Sequence, residues 1–315
     1  MAGHEGSATG ERPEKSARRD NACATGGSGS SVLGAVAPVL GHRQPRPGGM
    51  RFRPCIDLHG GMVKQIVGGT LADSSGSAVE NFVSAHGAGH FAGLYRDAKL
   101  SGGHVIKLGP GNDDAAKEAL AAWPNGLQVG GGISASNARE WLDAGASHVI
   151  VTSAVFAKGK IDWEALRALV DVVGRERLVL DLSCKKRPLA QRQKDGDERY
   201  YVVTDRWQKY TDYAVTEASL QELSTFCSEF LVHAVDVEGL RGGVQEDLVE
   251  MLGAWSTLPV TYAGGARDLE DLERVRQLGQ GRVDLTIGSA LDIFGGDLPF
   301  ASVVEWQRRQ GIEEA

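Results

Sequence analysis

Two segments of the chain repeat the same order of features. Residues 127–156 (LQVGGGISASNAREWLDAGASHVIVTSAVF) and 260–294 (VTYAGGARDLEDLERVRQLGQGRVDLTIGSALDIF) each contain an apolar run, a glycine pair, a helix-length stretch, a second apolar run and a serine before alanine. A shorter matched pair precedes them, IDLHGG at 56–61 and LDLSCK at 180–185. Internal repeats indicate a fold assembled from copies of one structural unit. The repeat therefore predicts a fold made of two similar halves.

Eight short apolar runs alternate with helix-length segments after residue 53. This alternation is typical of a parallel sheet whose strands are joined by helices, and eight such units favour a closed barrel. The predicted fold class is therefore α/β, a (β/α)8 TIM barrel built from two similar half-barrels. The strands are predicted at residues 53–57, 104–108, 127–130, 148–152, 177–182, 230–235, 259–263 and 284–288.

The first 49 residues differ in composition from the rest of the chain. They contain ten glycines, many Ser, Ala and Pro residues and few large apolar residues, a composition that favours disorder. We predict a disordered extension over residues 1–49 and a single barrel domain over residues 50–315. Arg18 and Arg19 are typical of a transit peptide, but the four acidic residues of this stretch are not. The expected location is therefore the cytoplasm, with a plastid as the alternative.

Composition and charge exclude several classes of function. The net charge of −7 argues against a nucleic-acid-binding face, because binding to the phosphate backbone relies on clustered Lys and Arg. No apolar run approaches the ~18 residues that a membrane span needs. The four cysteines are far apart and form no CxxC pair, so neither a disulfide framework nor a metal site is predicted. We expect a small-molecule ligand, no nucleic-acid or membrane partner, and a monomer, because each half-barrel completes the other.

Two aspartates stand at the ends of matched strands. Asp57 ends the first predicted strand and Asp181 lies at the end of the fifth, which faces the first across an eight-stranded ring. In a parallel barrel the carboxyl ends of the strands form the catalytic mouth. Two carboxylates that face each other can divide the roles of acid and base if their surroundings separate their pKa values. A single Asp could simply cap a turn, but the matched pair favours catalysis.

Glycine pairs follow strands in both halves of the repeat. Backbone N–H groups exposed where a glycine turn leads into a helix N-terminus suit a phosphate, and loops after barrel strands often bind one. One such site per half implies a ligand with a phosphate at each end, held over the two aspartates. The predicted phosphate-binding residues are Gly131, Gly132, Thr152 and Ser153 in one half and Gly264, Gly265, Gly288 and Ser289 in the other.

A long basic insertion interrupts the second half. Residues 184–209 follow the fifth strand, where KDGD predicts a hairpin turn and RYYVV its return strand. Trp207 on this insertion is a candidate to stack on a flat heterocycle. The remaining candidate substrate contacts are polar residues near strand ends or in the first loop, each of which could equally be structural or solvated: His59, Lys64, His233, Asp236 and Glu238.

Several motifs together resemble one enzyme family. From about Arg51 to Trp306 the chain resembles the phosphoribosylformimino-aminoimidazole-carboxamide ribotide isomerases, the histidine-pathway isomerases, in their eukaryotic form. The resemblance implies a (β/α)8 barrel and an Amadori rearrangement, in which an aminoaldose bisphosphate opens and becomes an aminoketose without metal or organic cofactor. The matching segments are FRPCIDLHGGMVKQIVGGTL, HVIKLGPGNDDAAKEAL, LQVGGGI, LVLDLSCKK, LVHAVDVEGLRGG, VTYAGGA and VDLTIGSALDIFGG.

The family pattern also implies roles for individual residues. Asp57 would be the base that removes the C2′ proton, Asp181 the opposed acid that protonates the ring oxygen, and the glycine pairs would hold the two phosphates. The chain departs from bacterial members at the end of the sixth strand. They have Thr where this chain has His233, so the polar role there stays open among His233, Asp236 and Glu238.

Two other barrel enzymes remain as alternatives. The cyclase subunit of imidazole glycerol phosphate synthase has the same half-barrel repeat, two phosphate sites and a lysine in the first loop, where this chain has Lys64. It needs ammonia from a glutaminase, for which the chain shows no nucleophile segment, and the insertion at 184–209 matches the isomerase better. A flavin-dependent barrel oxidoreductase would leave the second phosphate site unexplained. The isomerase is the favoured prediction.

Overall fold

Eight parallel strands form the core of the fold. The structure is a computed structural model that describes residues 49–67 and 80–311, so the predicted extension over residues 1–49 lies outside the described residues except for Gly49. All eight predicted strands are present, with ends that differ by at most two residues from the prediction. They are β1 (Cys55–His59), β4 (Gly103–Lys107), β5 (Leu127–Gly130), β6 (Val149–Val151), β9 (Leu178–Asp181), β13 (Glu229–His233), β14 (Val260–Ala263) and β15 (Val283–Thr286).

The parallel strands close into a ring. Their spatial order is β1-β4-β5-β6-β9-β13-β14-β15, which is also their order in the chain. The ring closes where Phe52, just before β1, pairs in parallel with Leu285 of β15. The Arg53 amide donates to the Leu285 carbonyl at 2.8 Å, and the Leu285 amide donates to the Arg51 carbonyl at 2.9 Å. The predicted (β/α)8 barrel is confirmed.

Amphipathic helices cover the outside of the ring. In α8, for example, Leu272 and Val275 are buried at helical spacing, and the Asp268 carboxylate caps the first turn by accepting from the Asp271 amide. No helix among the described residues is long and apolar enough to cross a membrane. The helices are α1 (Ala88–Asp97), α2 (Asp113–Ala122), α3 (Ala138–Asp143), α4 (Trp163–Val173), α5 (Leu189–Asp195), α6 (Glu217–Leu223), α7 (Glu246–Trp255), α8 (Leu269–Leu278) and α9 (Phe300–Arg309).

Within residues 49–67 and 80–311, seven further strands lie outside the eight-stranded ring, after the carboxyl ends of β1, β6 and β9. β2 pairs antiparallel with β1 and carries β3, whereas β7 and β8 form a short hairpin after β6. β10, β11 and β12 form a separate three-stranded antiparallel sheet after β9. Their bounds are β2 (Met62–Ile66), β3 (Glu80–Val83), β7 (Phe156–Ala157), β8 (Lys160–Ile161), β10 (Cys184–Lys186), β11 (Tyr200–Thr204) and β12 (Lys209–Ala214).

The basic insertion differs in one respect from the prediction. The predicted return strand is confirmed as β11, which pairs antiparallel with β10. The predicted hairpin turn at KDGD is wrong, because α5 lies between the two strands and Asp195 is its last residue. Gly196 follows with a φ of 66° and ends the helix in the left-handed conformation that glycine adopts readily. A helix C-terminus and a hairpin turn both favour glycine after a polar residue, so the local pattern does not distinguish them.

A buried polar cluster fills the amino-terminal end of the barrel. The Arg53 guanidinium donates from Nε to Asp284 Oδ2 at 2.8 Å and from Nη2 to Glu229 Oε2 at 3.3 Å. Glu229 also accepts hydrogen bonds from Gln128 at 3.2 Å and from Thr261 at 3.0 Å. All five side chains are buried. This Arg53 cluster joins β5, β13, β14 and β15 to the segment before β1, and the sequence analysis did not predict it.

Candidate active site

A cavity of about 360 Å³ lies at the carboxyl ends of the barrel strands. The two predicted catalytic aspartates line it, together with the whole phosphate site predicted in the first half. The insertion after β9 reaches the same cavity with its tip. Of the residues predicted from sequence, the cavity is lined by Asp57, Gly131, Gly132, Thr152, Ser153, Asp181, Trp207, His233 and Glu238.

A second, smaller cavity of about 20 Å³ adjoins the first. It contains the phosphate site predicted in the second half, and it shares Asp57, His233 and Glu238 with the larger cavity. The two glycine-pair loops therefore lie around one common group of titratable side chains. The residues predicted for the second phosphate site that line this cavity are Gly264, Gly265, Gly288 and Ser289.

The loop geometry explains why glycine stands at these places. Gly131 has a φ of 90°, and a Cβ added to it would lie 2.1 Å from the Lys107 carbonyl oxygen. Gly265 has a φ of 78°, and its added Cβ would lie 2.2 Å from the Gly243 carbonyl oxygen. No side chain fits there without a backbone shift. The next helices in the chain, α3 and α8, begin several residues after the two glycine pairs.

Asp181, the last residue of β9, accepts hydrogen bonds at both carboxylate oxygens. Thr152 Oγ1 donates to Oδ2 at 3.0 Å, and Ser183 Oγ donates to Oδ1 at 2.9 Å. The Nδ1 atom of His233 lies 3.4 Å from the same Oδ1. Burial raises the pKa of Asp181, but the charge of His233 and these hydrogen bonds outweigh it and hold the pKa below its ordinary value. Asp181 is therefore ionised.

Asp57 in β1 has the opposite electrostatic environment. Its Oδ2 accepts one hydrogen bond, from Gln65 Nε2 at 3.0 Å. Burial and the negative charge of Glu238 raise the pKa of Asp57 to about 7, against the opposing effects of His233 and Gln65. The two carboxyl groups thus differ in acidity, which is what a division between acid and base roles requires.

His233 and Glu238 line both cavities together with Asp57. Burial lowers the pKa of His233, but the charges of Asp181, Glu238 and Asp57 and its bond to Asp181 raise it to about 9. The Trp207 ring packs against the imidazole, with 6.0 Å between ring centroids. Burial raises the pKa of Glu238, whose Oε2 would lie 3.3 Å from a Cβ added to Gly264. Glu238 therefore lies beside Asp57 and the second glycine pair.

Three predicted contacts lie away from both cavities. Lys64 is buried in β2, where its Nζ forms an ion pair with Glu80 Oε1 at 2.6 Å. His59 Nδ1 lies 4.0 Å from the same oxygen. Asp236 is exposed. None of the three lines either cavity, and their role as substrate contacts stays a prediction. Among residues 49–67 and 80–311, no three His, Cys, Asp or Glu side chains are grouped to hold a metal ion.

Two residues that position the aspartates were not predicted from the sequence. Gln65 is buried in β2 and holds Asp57, and its Oε1 would lie 2.4 Å from a Cβ added to Gly288. Ser183 follows β9 and holds Asp181. The only signal for Ser183 is its place two residues after a strand-terminal Asp. Gln65 has no local signal, because its contact to Asp57 depends on how β2 folds back on β1.

The raised pKa of Asp57 predicts an effect on stability. The folded state keeps a proton on Asp57 up to about pH 7, whereas the unfolded chain releases it near the ordinary pKa of 3.8. Ionising Asp57 therefore costs folding free energy as pH rises through this range, and the cost is complete above pH 7. Asp57→Asn removes this cost, so we expect the variant to be more stable than the parent at pH 8 by up to about 4 kcal/mol, the free energy that corresponds to a pKa raised from 3.8 to about 7. Urea unfolding measures the difference.

The pH dependence provides the check on this prediction. The stability gain should shrink as pH falls toward 4, where both folded and unfolded parent molecules hold the proton. A gain that does not change between pH 8 and pH 4.5 would contradict the assignment of the cost to ionisation of Asp57. Asp162→Asn is the matched control, because Asp162 caps α4 away from both cavities and Asn caps as well as Asp.

The chain is similar in sequence to a group of curated enzymes. A family model described as histidine biosynthesis protein matches residues 51–298. A Neurospora crassa protein is 54% identical over 263 residues, which cover 82% of this chain and 99% of that relative. Its name is 1-(5-phosphoribosyl)-5-((5-phosphoribosylamino)methylideneamino)imidazole-4-carboxamide isomerase. The chain belongs to this family of histidine biosynthesis isomerases.

Relatives from other lineages carry the same isomerase name. One from Saccharomyces cerevisiae is 47% identical over 268 residues, which cover 83% of this chain and 99% of the relative. One from Medicago truncatula is 51% identical over 272 residues, which cover 84% of each chain, and its name adds the word chloroplastic. The resemblance to the isomerase family that the motifs indicated is thus confirmed.

Proposed function

We propose that the chain converts the aminoaldose bisphosphate of histidine biosynthesis to the corresponding aminoketose by an Amadori rearrangement. One observation carries this proposal. Asp57 lies within β1, two residues before its end, and Asp181 is the last residue of β9 in the opposite half-barrel. Both line one cavity and differ in acidity, and a glycine-pair loop lies on either side of them. An aldose–ketose isomerisation needs an acid and a base at neighbouring carbons, and this substrate has a phosphate at each end.

Asp57 is suited to the role of base. Protonation of the ring oxygen opens the ribose to a Schiff base, and a base then removes the C2′ proton to form an enolamine, which becomes the ketone. A carboxylate with a pKa of about 7 is a stronger base than an ordinary one and is still largely ionised at slightly alkaline pH. The hydrogen bond from Gln65 fixes its orientation. Asp181 belongs to the acid side of the reaction.

The two glycine loops would bind the phosphates. Their N–H groups suit an anion without a cluster of basic side chains. Each loop has hydroxyl groups beside it, from Thr152 and Ser153 in the larger cavity and from Ser289 in the smaller one. Trp207, at the cavity wall on the insertion, would stack on the imidazole ring of the substrate.

Gly132→Ala tests the first phosphate site. Gly132 lines the larger cavity with a φ of 69°, and an added Cβ meets no protein atom within 4 Å, so the methyl group stands in open space beside the site. We expect KM to rise about tenfold or more, with a stability loss of about 1 kcal/mol from the left-handed backbone. Steady-state kinetics and urea unfolding measure the two effects.

Gly281→Ala is the matched control for this substitution. Gly281 has a φ of 67° and equally open space around its added Cβ, but it lies before β15 and lines neither cavity. The control should lose the same stability and keep its KM. Equal KM values for the two variants would remove Gly132 from the phosphate site.

Turnover of the aminoaldose substrate tests the proposed function directly. A cyclase and its glutaminase are added in excess, so that the aminoketose is consumed as it forms and can be quantified. Turnover that requires this chain supports the isomerase. No turnover, combined with consumption of the aminoketose when only ammonia is added, would instead identify the cyclase. Lys64, the residue that keeps the cyclase as an alternative, forms an ion pair with Glu80 and lines neither cavity.

Three broader expectations accompany the proposal. Residues 50–315 would act as one barrel domain, because the ring that contains the site closes within this range. The protein would be a monomer, because both aspartates and both glycine pairs come from a single chain. It would work in the cytoplasm, with a plastid as the alternative that the name of the Medicago truncatula relative keeps open.

A further inference from the structure

The proposed reaction needs a group that can give a proton to the ring oxygen of the substrate, and Asp181 does not hold one. Thr152 donates to one of its oxygens, and Ser183 and His233 face the other. Burial raises the pKa of Asp181, but the charge of His233 and these hydrogen bonds hold it below its ordinary value, so the carboxyl group is ionised at neutral pH. Asp181 therefore has no proton to give to the ring oxygen of a substrate.

His233 is the nearest group that can hold this proton. It is the last residue of β13, its side chain is buried, and its Nδ1 lies 3.4 Å from Asp181 Oδ1. Four titratable groups face it from the surrounding elements. Three of them are carboxyl groups that favour a charged imidazole: Asp181 in β9, Asp57 in β1 and Glu238 after β13. The fourth is the neutral ring of His104 in β4, whose centroid lies 6.3 Å from that of His233.

The position of the ring matches that of a proton donor. His233 lines both cavities, so it borders the space in which a substrate held by both glycine loops would lie. Its Nδ1 is bound to Asp181, which leaves Nε2 as the ring atom that can face a ligand. A carboxylate bound to Nδ1 holds an imidazole in orientation and stabilises its charged form, and Nε2 then exchanges protons with the substrate. The Trp207 ring lies beside the imidazole, with 6.0 Å between the ring centroids.

We infer that His233 carries the proton delivered to the ring oxygen, and that Asp181 acts by orienting His233 and stabilising its charge. This inference deepens the proposed function and rests on it. The imidazolium proton passes to the ring oxygen while the bond from this oxygen to C1′ breaks. The lone pair of the nitrogen that is bonded to C1′ forms the C=N bond as the C1′–O bond breaks. Asp57 then takes the C2′ proton. When the enolamine becomes the ketone, Asp57 returns its proton to C1′ and the 2′ hydroxyl proton restores the imidazolium.

Activity as a function of pH distinguishes this role from a structural one. In the parent protein, kcat should fall on the alkaline side as His233 loses its proton near pH 9. In His233→Asn the acid nearest to this position is Asp181, which has lost the His233 charge that lowers its pKa but is still a carboxylic acid and releases its proton at lower pH than an imidazolium whose pKa is about 9. We expect kcat at pH 8 to fall about 10²-fold or more. In the plot of kcat against pH, the decrease on the alkaline side (the alkaline limb) should begin at least about two pH units lower than in the parent protein. KM should change little.

His148→Gln is the control variant. His148 precedes β6, lies outside both cavities and is half-buried, so its loss should leave kcat and the alkaline limb where they are. A His233→Asn protein that is active with an unmoved alkaline limb would overturn the inference. Because this outcome requires turnover, it differs from a parent protein that gives no aminoketose, which would overturn the proposed function itself.

A measurement on the unaltered protein covers the case in which His233→Asn does not fold. Nuclear magnetic resonance of the protein with 15N-labelled histidine reports the protonation of each ring from its nitrogen shifts. His233 should remain charged at pH 7.5 and lose its proton near pH 9. A ring that is neutral at pH 7.5 could not be the donor and would overturn the inference, whatever the behaviour of the variant.

Discussion

Asp57→Asn and Asp181→Asn should each lower kcat by about 10³-fold, because positioned acids and bases contribute rate factors of about 10²–10⁴. In Asp57→Asn the amide oxygen still accepts the hydrogen bond from Gln65, so the geometry is kept, but no group remains to take the C2′ proton. In Asp181→Asn the charge that holds the His233 proton is lost. Turnover measured with excess cyclase and glutaminase gives both values.

Product binding to each variant must also be measured, so that a loss of turnover can be assigned to the chemical step and not to lost binding. The product should bind to both variants within about tenfold of the parent, because the glycine loops that would hold its phosphates are unaltered. Asp162→Asn, which lies outside both cavities, is the control and should keep full turnover. Either active-site variant that keeps more than about a tenth of the parent turnover would remove that aspartate from the reacting groups.

Arg53→Met should destabilise the barrel by about 3–5 kcal/mol, because it removes the guanidinium group that donates to two buried carboxylates. Arg53 donates to both Asp284 and Glu229, and it thereby joins the segment before β1 to β15 and β13. Both carboxylates are buried in the amino-terminal layer of the barrel. Methionine keeps most of the packing volume but removes the charge. Equilibrium urea unfolding measures the loss.

Arg309→Met is the matched control for this prediction. Arg309 forms an ion pair with Glu305 on the surface of α9 at 3.0 Å, with 74% and 50% of the two side chains exposed. An exposed pair of this kind contributes about 0.3–0.5 kcal/mol. A loss below about 1 kcal/mol in Arg53→Met would mean that water or a rearranged partner satisfies the two carboxylates, and that the Arg53 cluster does not hold the ring closed.

The barrel and the outline of its site were predictable from local patterns. Apolar runs, helix-length stretches and glycine pairs are short-range features, and their repetition in two halves indicated eight parallel units. A general rule of barrel topology then placed Asp57 and Asp181 at one mouth, because parallel strands end on the same side. Gly131 and Gly265 have positive φ angles, and a glycine in the sequence is the local indication that the backbone adopts such an angle. These features needed no knowledge of distances across the ring.

Only the tertiary structure decided which groups touch. Asp181 and His233 are 52 residues apart, and Arg53 and Asp284 are 231 residues apart, so no local pattern relates them. No local pattern shows either that Lys64 forms an ion pair with Glu80 and does not line the cavity. Hydrogen bonds and burial act over a few ångströms, and these distances exist only once the ring has closed. The sequence therefore determined the fold and the two carboxyl groups, while closure of the barrel determined which of them is ionised and which other group can hold a proton.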